Sequence, residues 1–300
     1  MKKAKSVILL FLTAIIWGLA FVAQRVGAEY VGTFTFNGIR FLLGAISLLP
    51  VIFFFEMQSK DTYNKEKLKK TAFVGLLAGI ILFTASTLQQ AGIDITKSAG
   101  KAGFITGLYM VIVPFIGIFM HKKTNVYTWL GALCAVLGLY LLCITENSGI
   151  GYGDFVLLAG SVFWAFHIII IDSFVEDIYP LRFAAIQFFV CGLISIICAL
   201  CFEKIEFSAI KSALVPILYG GFMSVGVAYT CQILGQKDAD PAFASVILCT
   251  ESVFAAIGEA IILGATLSLR GYLGCVVMFA GIILSQITPE RKNETSSLRA

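Results

Sequence analysis

The sequence predicts an all-α integral membrane protein of ten transmembrane helices, built as two inverted five-helix repeats. Composition is the first observation behind this. Of 300 residues, 59% are hydrophobic and 13% charged, with a mean hydropathy of +0.92. No soluble domain of this size needs so much apolar sequence. The second observation is spacing. A helix needs about 20 mainly apolar residues to cross the hydrocarbon. Ten such stretches follow one another, at 6–25, 33–55, 72–92, 96–120, 126–144, 154–173, 180–201, 212–236, 241–264 and 267–287. The third is internal repetition. Trp17 and Trp164 sit in similar surroundings 147 residues apart, Tyr109 and Glu251 lie 142 apart, and Trp129-Leu-Gly131 matches Tyr272-Leu-Gly274 at 143. Loop insertions account for the drift. Five spans per copy is an odd number, so the second copy crosses the bilayer in the opposite sense.

Each element can be justified in turn. The first span follows Lys2, Lys3 and Lys5 and imitates a signal peptide, but it is too long for that role and its counterpart around Trp164 is internal. It is read as an uncleaved helix. The second span carries Arg40 and leads into the polar link 56–70, with Lys60, Lys65, Lys67, Lys69 and Lys70. Ser86 marks the middle of the third. The fourth holds Lys101, Tyr109 and Pro114, a proline that could kink it and free carbonyls for a cavity. The fifth presents Gly131, Ala135 and Gly138 on one face, as the tenth presents Gly274 and Gly281. Small residues at this spacing allow close helix packing inside the chain, with a homodimer interface as the alternative. A Gly-rich loop, Glu146 to Asp154, joins the halves. The sixth span carries Trp164 and His167, the seventh Cys198 and Cys201, the eighth Pro216 and Tyr229, the ninth Glu251 and Glu259. The domains are therefore 1–145, 150–288 and a charged tail at 289–300, expected to be disordered.

The net charge of +4 sits in loops and does not suggest nucleic acid. By the positive-inside rule, the lysines before the first span, in the 56–70 link and at 122–123 place both termini in the cytoplasm and the Gly149–Asp154 loop outside. All eight cysteines lie inside spans and read as small packing residues. No metal site, cofactor, nucleotide loop or hydrolase motif is present in the sequence. Any transport must then run on an ion gradient, on exchange, or on the solute's own gradient.

Ionisable residues at membrane depth mark a pathway or site by default. Counting from span ends at about 1.5 Å per residue places Glu251, Tyr109, Trp17, Trp164, Ser86 and Tyr229 near the midplane. With no cation counted at its depth, Glu251 is the leading candidate for substrate or proton contact. Arg40, Lys101 and Glu259 count to a shallower outer layer, where Glu259 is expected to pair with Arg40 or Lys101. His167 could titrate near neutral pH, although a lone histidine in such a helix is more often a packing residue.

These residues resemble a known family. The Trp17-Gly18 opening, Arg40-Phe41, Thr96-Lys-Ser-Ala-Gly-Lys-Ala-Gly-Phe-Ile-Thr-Gly-Leu-Tyr109 into Val113-Pro114, and Thr250-Glu-Ser-Val-Phe-Ala-Ala256 are similar to the EamA family, permeases of the drug/metabolite transporter superfamily. The resemblance covers about 6–287. It implies a basket of ten helices around a central cavity in the bacterial inner membrane, moving a small metabolite by alternating access. Export of an amino acid or related amphipathic solute is the expected direction, and a proton or an exchange solute the expected coupling partner. It carries Trp17, Arg40, Tyr109, Trp164 and Glu251 over as cavity-lining residues, while the reading of the residues themselves leaves Lys101, Glu259 and His167 as gating or coupling candidates. Lys101 departs from the small or amide residue usual at its place. A non-transporting scaffold or receptor is the alternative, and it lacks a sizeable loop to serve as partner surface.

Overall fold

The computed structural model describes residues 2–58, 64–121, 125–143, 151–264 and 268–285. Lys60, Lys122, Lys123, the domain junction at 145–150 and the tail at 289–300 lie outside them. The described residues form helices without strands. We number the principal ones α1 (Lys2–Gly27), α2 (Thr33–Gln58), α3 (Lys65–Thr96), α4 (Ala99–Phe119), α5 (Val126–Cys143), α6 (Tyr152–Phe174), α7 (Pro180–Phe202), α8 (Leu214–Gln236), α9 (Pro241–Leu263) and α10 (Leu269–Ser285). Eight of them are long and apolar enough to cross a membrane, while α5 and α10 are shorter apolar helices. Large apolar side chains cover the outside, among them Phe53, Phe73, Ile197, Ile261 and Ile283. In water such a belt would be untenable, whereas in lipid it is the expected surface.

Helix ends follow local chemistry. Asn64 caps α3 by accepting from the backbone N–H groups of Glu66 and Lys67, so α3 starts a full two turns before the predicted span. Ser98 caps α4, and Asp240 caps α9 behind Pro241 at its first turn. At the start of α2, Glu203 from the end of α7 accepts from Phe34 N and Thr35 N, both at 2.8 Å. A carboxylate at a helix N-terminus satisfies orphan donors and suits the dipole.

Three helices are interrupted. In α4 the regular bonding breaks at Leu108, and in α9 at Cys249–Thr250. The break in α4 falls before Pro114, the residue expected to kink it. In α8, past Pro216, the coil widens to π-type bonding over Tyr219–Ala228.

The packing is largely between the first and second halves of the chain: α2 lies on α7, α3 on α6 and α7, α1 on α8 and α9, and α5 on α10. The glycine faces meet each other there. A Cβ added at Gly131 would lie 2.5 Å from the Gly281 carbonyl, and one at Gly138 would lie 2.6 Å from the Gly274 carbonyl. Each of these faces is thus covered within one chain, the close packing expected of small residues at this spacing.

Candidate functional site

The centre of the bundle holds a small cavity, whose empty space of about 410 Å³ includes any open solvent at its edge. Trp17, Arg40, Tyr109, Trp164 and Glu251 all line it. Trp17 comes from the middle of α1, where Gly18 lets the helix touch α9: a Cβ at Gly18 would fall 2.6 Å from the Glu251 carbonyl. Larger residues there would push α1 away from the carboxylate it helps enclose. The Trp17 indole donates to the Ser224 carbonyl at 3.2 Å, within the widened stretch of α8.

The interruptions of α4 and α9 place two polar groups. Tyr109 and Glu251 each open the second segment of their helix, and both are buried. The Tyr109 hydroxyl donates to Glu251 Oε1 at 3.1 Å. Beside them Ser252 Oγ donates to the Gly103 carbonyl at 2.8 Å, joining the two interrupted helices a second time. A carboxylate held by a phenol in an apolar layer is a strong, directional acceptor site.

Aromatic rings form the wall. Tyr229 of α8 is its hub, 4.6 Å from Trp17, 6.1 Å from Trp164, 6.1 Å from Phe41 and 5.5 Å from Phe188, centroid to centroid. Trp17 and Trp164 stand 6.2 Å apart. Such pairs stack in offset or edge geometry and keep the wall rigid.

Arg40 is 2% exposed and faces this wall. Its Nε donates to Asn37 Oδ1 at 2.9 Å, and its Cζ lies 4.6 Å from the Phe41 ring centroid. The reading by residue count is corrected in two respects. Arg40 belongs to the central cavity rather than to an outer layer, and Glu251 therefore shares its chamber with a cation. Counting along a helix gives the depth of Cα, whereas a guanidinium reaches well beyond it on a flexible stem.

The expected pairing of Glu259 with Arg40 or Lys101 is not what forms. Lys101 Nζ pairs with Asp154 Oδ2 at 2.8 Å, tying α4 to the start of α6, where Asp154 also accepts from Gly151 N. Glu259 accepts from Gly100 N at 3.2 Å, at the first turn of α4. Helix rotation, which residue counts do not contain, separates these groups from Arg40. His167 lies behind the aromatic wall, its Nε2 2.9 Å from Gln187 Oε1 and its ring edge-on to Trp164 and Tyr229. It does not line the cavity.

Residue counting missed the amides. Gln24, Gln89 and Gln232 also line the cavity, and Gln89 Nε2 donates to Gln24 Oε1 at 3.1 Å. Gln90 Nε2 donates to the Gln24 carbonyl. Buried glutamines in apolar spans were the available signal, because a polar amide in lipid needs a partner. Among the described residues no three His, Cys, Asp or Glu side chains come together to hold a metal ion.

On the other face, the α6–α7 loop is latched to the start of α3. Lys70 Nζ meets Asp177 Oδ2 at 2.5 Å, Lys67 Nζ donates to the Glu176 carbonyl at 3.0 Å, and Asn64 N donates to Tyr179 Oη. The Lys70 ammonium holds the Asp177 carboxyl below the usual carboxylate range.

Comparison with known proteins adds the following. A family model described as the EamA-like transporter family matches residues 4–144 and again 151–286. An "Uncharacterized transporter" of Archaeoglobus fulgidus is 28% identical over 279 residues, covering 92% of this chain and 83% of that protein. "Uncharacterized transporter YoaV" of Bacillus subtilis is 22% identical, covering 93% and 95%. "Uncharacterized inner membrane transporter YedA" of Escherichia coli is 24% identical, covering 92% and 89%. A solved crystal structure superposes with a TM-score of 0.77 at 16% identity, over 94% of this chain and 96% of that one, a likeness of fold.

Proposed function

This chain belongs to the EamA-like transporter family, and from that premise we propose that it is a secondary transporter moving a small amphipathic metabolite by alternating access. An amino acid or related solute is the cargo and export the direction. The observation that carries this reading is the central cavity: one guanidinium, one carboxylate held by a phenol, and a rigid aromatic wall. Charged ends of a solute find partners there, while its apolar body lies on the rings.

In the same reading the ten helices are ten spans forming two inverted five-helix repeats, 1–145 and 150–288. Four contacts support it. Tyr109 touches Glu251 and Trp17 stands beside Trp164, each residue next to its own counterpart. Gly131 faces Gly281 while Gly138 faces Gly274, the reciprocal exchange that a two-fold axis requires. The Lys101–Asp154 pair then closes the outer mouth, and the Lys70–Asp177 latch lies on the cytoplasmic side with both termini, in a bacterial inner membrane. Glu251 is the group that couples transport to protons.

Reconstitution tests the proposal. Purified protein in liposomes loaded with a labelled pool of small metabolites should release one class of solute faster than protein-free liposomes. A scaffold or receptor would release none.

A further inference from the structure

The cavity contains donors that the fold leaves without acceptors. Arg40 Nη2 and Trp164 Nε1 are buried and have no hydrogen-bond partner among the described residues, and Thr106 Oγ1 on the cavity lining is in the same position. Arg40 is also fixed in place. Asn37 holds its Nε, and the guanidinium lies 4.6 Å from the centroid of Phe41 and 5.5 Å from that of Phe36. The helix opposite leaves room for it, since a Cβ at Gly220 would come within 3.2 Å of Arg40 Cδ. Among the described residues no carboxylate forms an ion pair with it.

A buried cation without a counter-ion is costly, and a buried donor without an acceptor adds to that cost. The polar residues around this chamber settle most other needs locally: Trp17 is bonded to Ser224, Tyr109 to Glu251, Gln89 to Gln24. What remains on the lining is two donors, Arg40 Nη2 and Trp164 Nε1, the Thr106 hydroxyl and one acceptor, Gln232 Oε1. Tyr229 lies 6.1 Å from both Trp164 and Phe41, the ring against which Arg40 stacks. A planar oxyanion offers acceptor lone pairs that fit a guanidinium edge and an indole N–H together.

We propose that Arg40 and Trp164 form an oxyanion subsite, and that the transported solute is an organic carboxylate whose apolar body lies against the Trp17–Trp164–Tyr229 wall. This rests on the reading of the cavity as the solute site, and deepens it. The carboxylate docks at Arg40, away from Glu251, so an anionic group is the feature the protein requires of its solute. An amine is not required.

Equilibrium binding to the full chain in nanodiscs tests this, with sodium benzoate, benzylamine hydrochloride, benzyl alcohol and sodium chloride as probes. Two of the three tryptophans line the cavity, so their emission follows occupancy. Benzoate should give a saturable change, whereas benzylamine, benzyl alcohol and chloride should give none at ten times its half-saturating concentration. Arg40→Gln should weaken benzoate by about tenfold or more, and Arg40→Lys by less. Trp164→Phe, read by calorimetry, keeps the ring surface but loses the N–H, and should weaken benzoate severalfold. It carries the decision if Arg40→Gln fails to fold. No saturable benzoate response, equal binding of benzylamine, binding of chloride in place of benzoate, or benzoate affinity unchanged in both variants would each overturn the subsite. Failure of the transport reading looks different: benzoate binding intact, with no solute flux in liposomes.

Discussion

The Tyr109 hydroxyl lies 3.1 Å from Glu251 Oε1, and each residue is the first of a helical segment that resumes after an interruption. The break in each helix turns an otherwise lipid-like stretch so that one polar side chain enters the protein centre. The bond joins α4 to α9 across the cavity. Any rearrangement that opens the chamber between those helices must stretch or break it.

Tyr109→Phe should therefore leave folding intact and reduce flux severalfold, since a hydrogen bond contributes about 0.5–1.5 kcal/mol net. Initial rates in proteoliposomes at matched protein content check this. Wild-type rates would reduce the contact to incidental packing.

Glu251→Gln keeps the shape and the acceptor oxygen but removes the titrating proton. In the coupled mechanism it should flatten the pH dependence of flux and lower the rate under a proton gradient. Counterflow, where solute exchanges for solute, should suffer less. A pH profile identical to wild type would make Glu251 structural.

The outer contacts predict which pairs of substitutions interact. Lys101→Gln and Asp154→Asn should be non-additive, because the two side chains meet at 2.8 Å. Arg40→Gln and Glu259→Gln should be additive, because Glu259 is engaged at Gly100 and Arg40 at Asn37. A double-mutant cycle in flux decides between these patterns, and coupling between Arg40 and Glu259 would restore the arrangement expected from residue counts.

That contrast shows how far the sequence could be read. The tryptophans, Tyr109 and Glu251 were locatable because each pair has matching neighbours at a similar offset in the chain, so depth came from two independent counts. Arg40 has no such counterpart among the paired motifs, and its reach depends on a rotamer and on the room made by Gly220. The break at Leu108 directly follows Gly107, a signal masked by the more conspicuous Pro114, whereas the break at Cys249–Thr250 contains neither glycine nor proline and had no local signal. The amides were visible as letters and each needed a partner, but those partners lie on other helices, as Gln24 does for Gln89 and Gln90, and only the fold brings them together.

Close packing of α5 on α10 makes a stability prediction. A side chain at Gly281 has only 2.7 Å before it meets the Gly131 carbonyl. Gly281→Leu must force the helices apart, a cost of about 1–3 kcal/mol or more for overpacking. The unfolding midpoint in detergent should fall by several degrees, while Leu273→Ala, on the exposed face of α10, should leave it close to wild type. An unchanged midpoint for Gly281→Leu would mean that the two helices do not pack as described.

The Lys70–Asp177 latch has a defined pH sign. Asp177 is held below the usual carboxylate range, so the pair stabilises the folded chain above that range and is lost as pH falls through the lower folded value. Asp177→Asn should lower the unfolding midpoint slightly at about pH 7, slightly because the pair is exposed, and by progressively less as the pH is taken below the ordinary carboxylate range. A difference that grows toward acid pH would contradict the assignment.

Accessibility of the cavity from the two faces of the membrane tests the central claim most directly. With the eight native cysteines replaced, a single cysteine at Thr106 lines the chamber. An impermeant thiol reagent is added outside right-side-out vesicles and, separately, outside inverted ones. The transporter account predicts labelling in both orientations, because the chamber opens to each face in turn. Labelling from one face only, or from neither, would contradict alternating access.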